Sequence, residues 1–170
     1  MQTKLHEALV GTWHATSLRN NIASAVDTEY FPDNSFKSYG AVAFRSPDDH
    51  GGEDILCEEF TIEGRWDVDG TRLTENVESV QLSGLYVYPE TPIREAEMSD
   101  ERRARMMAQE DLIEMAMSTV ESADIVNVEP DCITFSDGKG GREWCVTRID
   151  EPNLIILHLD AILAINRRGS

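Results

Sequence analysis

Hydrophobic and polar residues alternate along much of this chain, most regularly between residues 59 and 68. The apolar face of this segment consists of Phe60, Ile62, Gly64, Trp66 and Val68. Alternation with a period of two is typical of a β-strand that has one apolar face and one solvated face. Asp69-Gly70 follows as a hairpin turn. The pattern therefore predicts a strand, a tight turn and a return strand over residues 72–82.

Similar short segments recur along the chain and define the predicted fold class. They cover residues 9–16, 29–31, 35–44, 124–128, 133–135, 142–149 and 154–159, and Gly, Pro, Asp and Asn residues separate most of them. About eight or nine short strands at such spacing favour a closed barrel or a sandwich. Closure into a barrel removes exposed strand edges. We predict a mainly β fold, an antiparallel up-and-down barrel formed by a single domain over residues 1–170.

One helix, at about residues 99–119, is predicted to interrupt the strands. Ser99-Asp100-Glu101 has the features of a helix start, because acidic residues there complement the helix dipole. Apolar residues follow at helical spacing, namely Ala104, Met107, Ala108, Leu112, Met115 and Ala116. Five of the six methionines lie in or next to this helix, and methionine suits surfaces that repack. The helix is either a lid over the barrel mouth, with Met107 and Met115 as lid residues, or packed permanently outside the sheet.

The strand parity also predicts which side chains point into the barrel. The inward positions are Phe36, Val42, Phe44, Phe60, Ile62, Trp66, Val77 and Trp144. A barrel of about eight strands either holds one small ligand or is filled by its own side chains. In the first case these residues would bind an apolar or aromatic molecule; in the second they form the core. Gly40 and Gly64 share the inward face and leave either room for a ligand or a bend.

Glu75 is the main candidate for chemistry, because it has the same parity as Leu73 and Val77. A buried carboxylate needs a partner, and Arg142 and Arg148 are candidates for it. A bulge in the strand would instead turn Glu75 to solvent. His158 is a second weak candidate for an acid or base. Neither a nucleophile elbow nor a phosphate-binding loop is present, so the sequence leaves enzymatic activity undecided.

The formal net charge of -17 restricts the partners. Such a surface repels phosphate backbones and anionic lipids, so neither nucleic acid nor a membrane surface is an expected partner. Acidity of this kind either keeps a protein soluble or attracts a basic partner protein. The second case would suit an inhibitor or an immunity-type protein.

The cysteines and histidines predict neither a disulfide framework nor a metal site. The three cysteines, Cys57, Cys132 and Cys145, are widely spaced and odd in number. Cys145 lies between Trp144 and Val146, a context typical of a buried thiol. No two histidines have the spacing of metal ligands, and no cofactor motif is found. The start of the chain has no apolar signal segment, which predicts a cytoplasmic protein.

Several of these segments together resemble the lipocalin-like, or calycin-type, barrels of bacteria. Gly11-Thr12-Trp13 matches the Gly-x-Trp pattern of the first strand, residues 32–36 match a turn and strand, and residues 62–73 match a glycine-tryptophan hairpin. The resemblance covers about 120 of the 170 residues in pattern. The Thr-Asp-Tyr loop of typical secreted lipocalins is absent, and the helix lies within the barrel sequence. The resemblance is therefore to the wider lipocalin-like group.

This resemblance implies roles for a few residues and three functions. Gly11 and Trp13 would close one end of the barrel, with Arg148, or alternatively Arg167, packed on the tryptophan. The implied function is binding of a small apolar or aromatic molecule in the lumen. The alternatives are the acidic protein-interaction module and a barrel enzyme, such as a cyclase or an isomerase.

Overall fold

The structure is a computed structural model that describes residues 2–19, 22–87, 99–118, 121–138 and 141–150. Within these ranges it contains two helices, α1 (Gln2–Leu9) and α2 (Asp100–Met117). The strands are β1 (Gly11–Arg19), β2 (Ile22–Tyr30), β3 (Ser35–Pro47), β4 (Glu53–Asp69), β5 (Arg72–Leu82), β6 (Tyr86–Val87), β7 (Glu121–Glu129), β8 (Cys132–Ser136) and β9 (Glu143–Arg148).

Eight of the strands form a closed antiparallel barrel. Their order is β3-β2-β1-β9-β8-β7-β5-β4, and β3 pairs with β4 to complete the circle. Apart from the β1–β9 pair, which joins the first described strand to the last, neighbours in the barrel follow one another along the chain, and β6 is a short extra strand on β4. The predicted mainly β barrel with one inserted helix is confirmed. The last predicted strand, at residues 154–159, lies outside the described residues.

The alternating pattern produces this barrel because each strand has one face toward the lumen. The longest ladder joins β3 to β4 from the Ser35–Arg65 pair to the Pro47–Glu53 pair. One parity of these strands gives buried aromatic residues such as Phe36 and Phe60, while their neighbours Lys37 and Glu63 form an exposed ion pair. Burial of one face of every strand is what selects a single register.

Gly40 and Gly64 make room for packing within the barrel wall. A Cβ atom at Gly40 would lie 2.4 Å from the Phe60 ring. At Gly64, where the β4–β5 register shifts, a Cβ atom would lie 2.1 Å from the backbone oxygen of Asn76. The space left by each glycine is therefore occupied by the protein itself. Of the two alternatives, room for a ligand or a bend, the bulge at Gly64 corresponds to the bend.

One end of the barrel is closed by α1 and a cluster of large side chains, which together form a plug. Leu9, Trp13, Tyr30 and Trp66 belong to this buried cluster. The remaining buried members are Phe36, Val68, Leu73, Ile125, Ile133, Phe135 and Val146. The Trp66 ring stacks on His6 of α1 at a centroid distance of 4.3 Å. The cluster makes this the closed end of the lumen.

Arg148 completes the closed end. Its guanidinium lies 4.6 Å from the centroid of the Trp13 ring, a cation–π arrangement. The same group donates to the backbone oxygen of Ala8 at 3.0 Å. Gly11 has a φ of +134°, and a Cβ atom there would lie 3.1 Å from Arg148 Nη1. The structure thus brings together the three residues that the resemblance implied for closure; Arg167 lies outside the described residues.

The cysteines differ from the sequence expectation. Cys132 and Cys145 are joined by a disulfide, with their Cα atoms 6.4 Å apart, and Cys145 is exposed. Both expectations, no disulfide and a buried Cys145, were wrong in this structure, because the β8–β9 hairpin places Cys145 opposite Thr134, one diagonal step from Cys132. Cys57 keeps a buried thiol, packed among Ala23, Ala25, Ala41 and Ala43.

The thiol count tests this arrangement. Ellman's reagent should find about one thiol per chain in protein denatured without reductant, namely Cys57, and three after reduction, because disulfide sulfurs do not react with it. The folded protein should react slowly, since Cys57 is buried. Three thiols in the denatured, unreduced protein would show that Cys132 and Cys145 are not bonded.

Replacement of Gly64 tests the packing at the bulge. The Gly64→Ala variant should lose about 3 kcal/mol of unfolding free energy, because the new methyl group overlaps backbone of β5. Gly70→Ala is the matched control: Gly70 has a φ of +63° but open space around it. That control should lose only about 1 kcal/mol, the cost of a left-handed alanine. Urea unfolding measures both, and equal losses would contradict the packing argument.

Candidate functional site

The lumen beyond the plug is an open cavity of about 570 Å³. Its lining comes from strands β1 to β5 and β7 to β9 and from the end of α2. Most of the lining is apolar, including Val26, Phe36, Val42, Phe60, Ile62, Leu73, Val77, Phe135, Trp144 and Val146. A cavity of this size falls within the range of small-molecule sites. Of the two alternatives for the barrel, a filled core or an open lumen, the structure has the open lumen above a packed end.

Most residues predicted to bind the ligand line this cavity. Phe36, Phe60, Ile62, Val77 and Trp144 do so. Trp144 stacks on Phe135 at 5.8 Å between ring centroids and is 37% exposed, so it lies toward the solvent side of the lumen. The strand parity had placed all five side chains on the inner face.

Trp66 and Phe44 are also buried, but neither belongs to the described lining of the cavity. Trp66 is 1% exposed and lies in the plug, where its Nε1 donates to the backbone oxygen of Phe31 at 3.2 Å. It meets Tyr30 edge to face, with 5.3 Å between centroids. Phe44 pairs with Leu56 near the other end of the β3–β4 ladder. Parity gives the face of a strand but not the level along the barrel axis.

Glu75 points into the lumen, as its parity predicted. It pairs with Trp66 across the β4–β5 ladder, so it lies directly above the plug. Its hydrogen-bond partner is Tyr30, whose hydroxyl donates to Oε1 at 2.5 Å. Neither of the arginine partners considered from sequence reaches it: Arg148 packs on Trp13, and Arg142 is exposed beside the β8–β9 turn.

The surroundings of Glu75 raise its pKa. Burial raises the pKa of the carboxyl to about 7, the hydrogen bond from Tyr30 partly offsets this, and the charge of Glu121 raises it further. Glu121 also lines the cavity, and burial raises the pKa of its carboxyl too. Burial and the nearby Glu75 carboxylate hold the pKa of Tyr30 well above its usual range, so the phenol keeps its proton.

Hydroxyl groups add a second polar strip to the lumen. Thr28 and Ser38 face each other across β2 and β3 with 2.8 Å between their oxygens, and Ser24 and Ser122 also line the cavity. Sequence reasoning did not identify Tyr30, Thr28, Ser38 or Glu121. The parity of β2 could have found the first two, because Ser24, Val26, Thr28 and Tyr30 alternate with Ala23, Ala25 and Asp27.

Helix α2 contacts the barrel with a different face from the one expected. Met107 and Met115, the predicted lid residues, are 61% and 62% exposed, and Leu112 of the same stripe is also exposed. Ala116 and Met117 line the cavity instead. The rotation is set at the start of the helix, where Arg102 forms ion pairs with Asp54 and Asp49 of the β3–β4 hairpin. These charges hold Arg102, and not the methionine stripe, against the barrel.

The end of α2 completes a wall that the strands leave unfinished. β5 pairs with β7 only from Arg72–Asp124 to Glu75–Glu121, although β5 continues to Leu82. In the pairing described for this part of the chain, the second half of β5 has β4 on one side alone. α2 contacts β5, and its last residues border the lumen. The helix therefore substitutes for a strand on that side.

The other features considered from the sequence are His158, a metal site and a membrane-spanning segment. His158 lies outside the described residues. Within the described ranges, no group of three His, Cys, Asp or Glu side chains is arranged to hold a metal ion. Neither of the two described helices is long and apolar enough to cross a membrane.

No protein-family description matches the chain, and no curated protein matches it at a significant level. The site therefore has to be interpreted from its own geometry.

The raised pKa of Glu75 predicts that the stability of the protein falls as the pH rises through neutrality. Its folded pKa of about 7 lies above the ordinary glutamate value of 4.5, so the folded state binds more protons than the unfolded state between these limits. Stability should fall as the pH rises through this window. Because one pKa unit corresponds to about 1.4 kcal/mol, Glu75→Gln should be more stable than wild type at pH 8 by roughly 3 kcal/mol and nearly equal at pH 4.5.

Urea unfolding at both pH values measures this difference. Glu78→Gln is the matched control, because Glu78 lies on the same strand but is exposed. The control should show no comparable gain at pH 8. A Glu75→Gln variant that is less stable than wild type at pH 8 would mean that the ionised carboxylate is favourable where it lies.

Proposed function

We propose that this protein binds a small apolar or aromatic molecule in its barrel lumen, as a lipocalin-like domain. The observation that carries the proposal is the cavity of about 570 Å³ with an apolar, aromatic lining. Interiors of proteins are close-packed, so an open lumen of this size is space that the described side chains leave for a ligand. The large residues Phe36, Phe60 and Trp144 would supply contact area for a ligand, while the hydroxyl strip would orient it.

The closed and open ends of the barrel support the same proposal. The plug around Trp13 and Trp66 provides a rigid floor. At the other end, the residues that the structure describes include the last residues of α2 and the partly exposed ring of Trp144. A preformed pocket with a rigid floor binds without a large ordering cost. The Gly-x-Trp pattern and the packing of Arg148 on Trp13 support the lipocalin-like assignment.

A barrel enzyme is the second candidate, and one observation favours it. Glu75 reaches the lumen with a pKa near 7 and holds a hydrogen bond from Tyr30. A carboxyl group with such a pKa can both accept and donate a proton near neutral pH. An isomerase or cyclase would use it to move a proton on a bound ligand. The basic protein partner considered from the net charge remains a separate prediction.

Filling the lumen tests the binding proposal. Wild-type protein should bind the uncharged dye Nile red with a blue shift of its emission, because the lining is apolar. Val77→Trp places a large ring in the lumen and should weaken binding by about tenfold or more, since it removes cavity volume. Titration followed by dye fluorescence measures both affinities, and circular dichroism checks that the variant folds.

Val126→Trp is the matched control, because Val126 of β7 is exposed. It should bind the dye as wild type does. Equal affinity in all three proteins would place the dye on the surface and argue against the lumen as the binding site.

A further inference from the structure

The charged side chains in the described lining of the lumen are all acidic. Among the described residues that line the cavity, Glu75 and Glu121 are acidic and none is Lys, Arg or His. The two carboxyl groups occupy directly paired positions on β5 and β7. Both approach the unfinished part of the wall, where Ala116 and Met117 of α2 border the lumen. The protein thus offers two negative groups to the cavity and no positive group in its described lining to balance them.

Glu75 also has unused hydrogen-bonding capacity. Its Oε1 accepts from Tyr30, while its Oε2 has no hydrogen bond among the described residues. A carboxylate has room for about four hydrogen bonds, so one phenol leaves most of this capacity free. Tyr30 from β2 and Glu121 from β7 are the titratable groups that face Glu75, and neither carries a positive charge. Buried carboxylates are normally paired with a cation or several donors. Among the described residues no such donor reaches Oε2, so a ligand in the lumen would find this oxygen available.

We propose that the lumen binds an apolar molecule that carries a protonated amine, with the ammonium group hydrogen-bonded to Glu75 and close to Glu121. This inference rests on the proposed function, since it specifies the ligand of the same cavity. An ammonium group offers up to three donors, which matches two carboxylates better than a single hydroxyl does. The apolar part of the ligand would lie against Phe60, Val77 and the other lining residues.

The proton balance gives this ligand a distinctive signature. The free protein holds a proton on Glu75 for part of the time at neutral pH, since the pKa of this carboxyl is about 7. Binding of an ammonium ion favours the ionised carboxylate, so the proton is released to solvent. The apparent affinity should therefore fall about tenfold per pH unit below pH 7 and level off above it. An uncharged ligand of the same shape has no such dependence.

Three matched probes test the proposal: 2-(1-naphthyl)ethylamine, 2-(1-naphthyl)ethanol and 1-naphthylacetic acid. Isothermal titration calorimetry at pH 8 should find the amine bound about tenfold or more tighter than the alcohol, since a hydrogen bond to a buried charge is worth more than a neutral one. At pH 5.5 this advantage should largely disappear. Titrations at pH 7 in two buffers of different ionisation enthalpy should show net release of protons with the amine alone.

Two variants distinguish binding of the amine at Glu75 from its general attraction to the acidic surface. Glu75→Gln should weaken the amine about tenfold or more and leave the alcohol within about threefold, because only the amine uses the charge. Glu78→Gln removes an exposed charge of the same strand and should change neither. An equal loss of amine binding in Glu78→Gln would overturn the proposal in favour of general attraction to a protein of charge -17.

The other outcomes distinguish failure of the ammonium proposal from failure of lumen binding itself. If the alcohol binds as tightly as the amine and Glu75→Gln changes neither, the ammonium proposal is wrong while the lumen remains a binding site. If the acid binds best, protonated Glu75 acts as a donor and the ammonium proposal is equally wrong. If none of the three probes binds to the wild-type protein, both the ammonium proposal and the proposed function are wrong.

Discussion

Closure of the barrel at the seam between β1 and β9 is the constraint on which the other features depend. Among the described residues the seam has two ladder pairs, Trp13 with Arg148 and His14 with Thr147, and the Ile149 N–H donates to the backbone oxygen of Thr12 at 3.0 Å. Side chains reinforce it, because Arg148 bonds to the backbone of α1 and packs on Trp13, while Trp13 Nε1 donates to Leu9 at 2.7 Å. Without this junction β1 and β9 would be exposed edges, and an open sheet encloses no lumen. The barrel is therefore closed at this seam by a short ladder, the Ile149–Thr12 hydrogen bond and the packing of Arg148.

The closed end also explains the chemistry above it. Trp66 lies in the plug, and its ladder partner Glu75 is the first polar group that the lumen contains. The large rings below Glu75 keep water away from one side of the carboxyl, and this desolvation raises its pKa. Tyr30 belongs both to the buried cluster and to the cavity lining, so a single side chain links structural packing to the polar site.

The sequence predicts the barrel and the inward faces well, because a strand that encloses a lumen must alternate. Phe36, Phe60 and Glu75 follow directly from this rule. The level of a residue along the axis does not follow, since Trp66 and Phe60 share a parity but lie in different environments. The rotation of α2 depends on ion pairs between Arg102 and a distant hairpin, which no periodicity reveals. The pairing of Cys132 with Cys145 depends likewise on the register of β8 with β9.

The helix that replaces a strand on one side of the barrel bears on how the proposed ligand would enter and leave the lumen. A wall made only of strands opens by breaking a ladder of backbone hydrogen bonds, which approaches the cost of unfolding. α2 has no buried residues, and the charges of Arg102, Asp49 and Asp54 anchor it at its first turn. Its far end, at Met117, borders the lumen without taking part in any of the described strand ladders. Release of the proposed ligand on this side would need a displacement of α2 alone, without the loss of strand pairing that global unfolding requires.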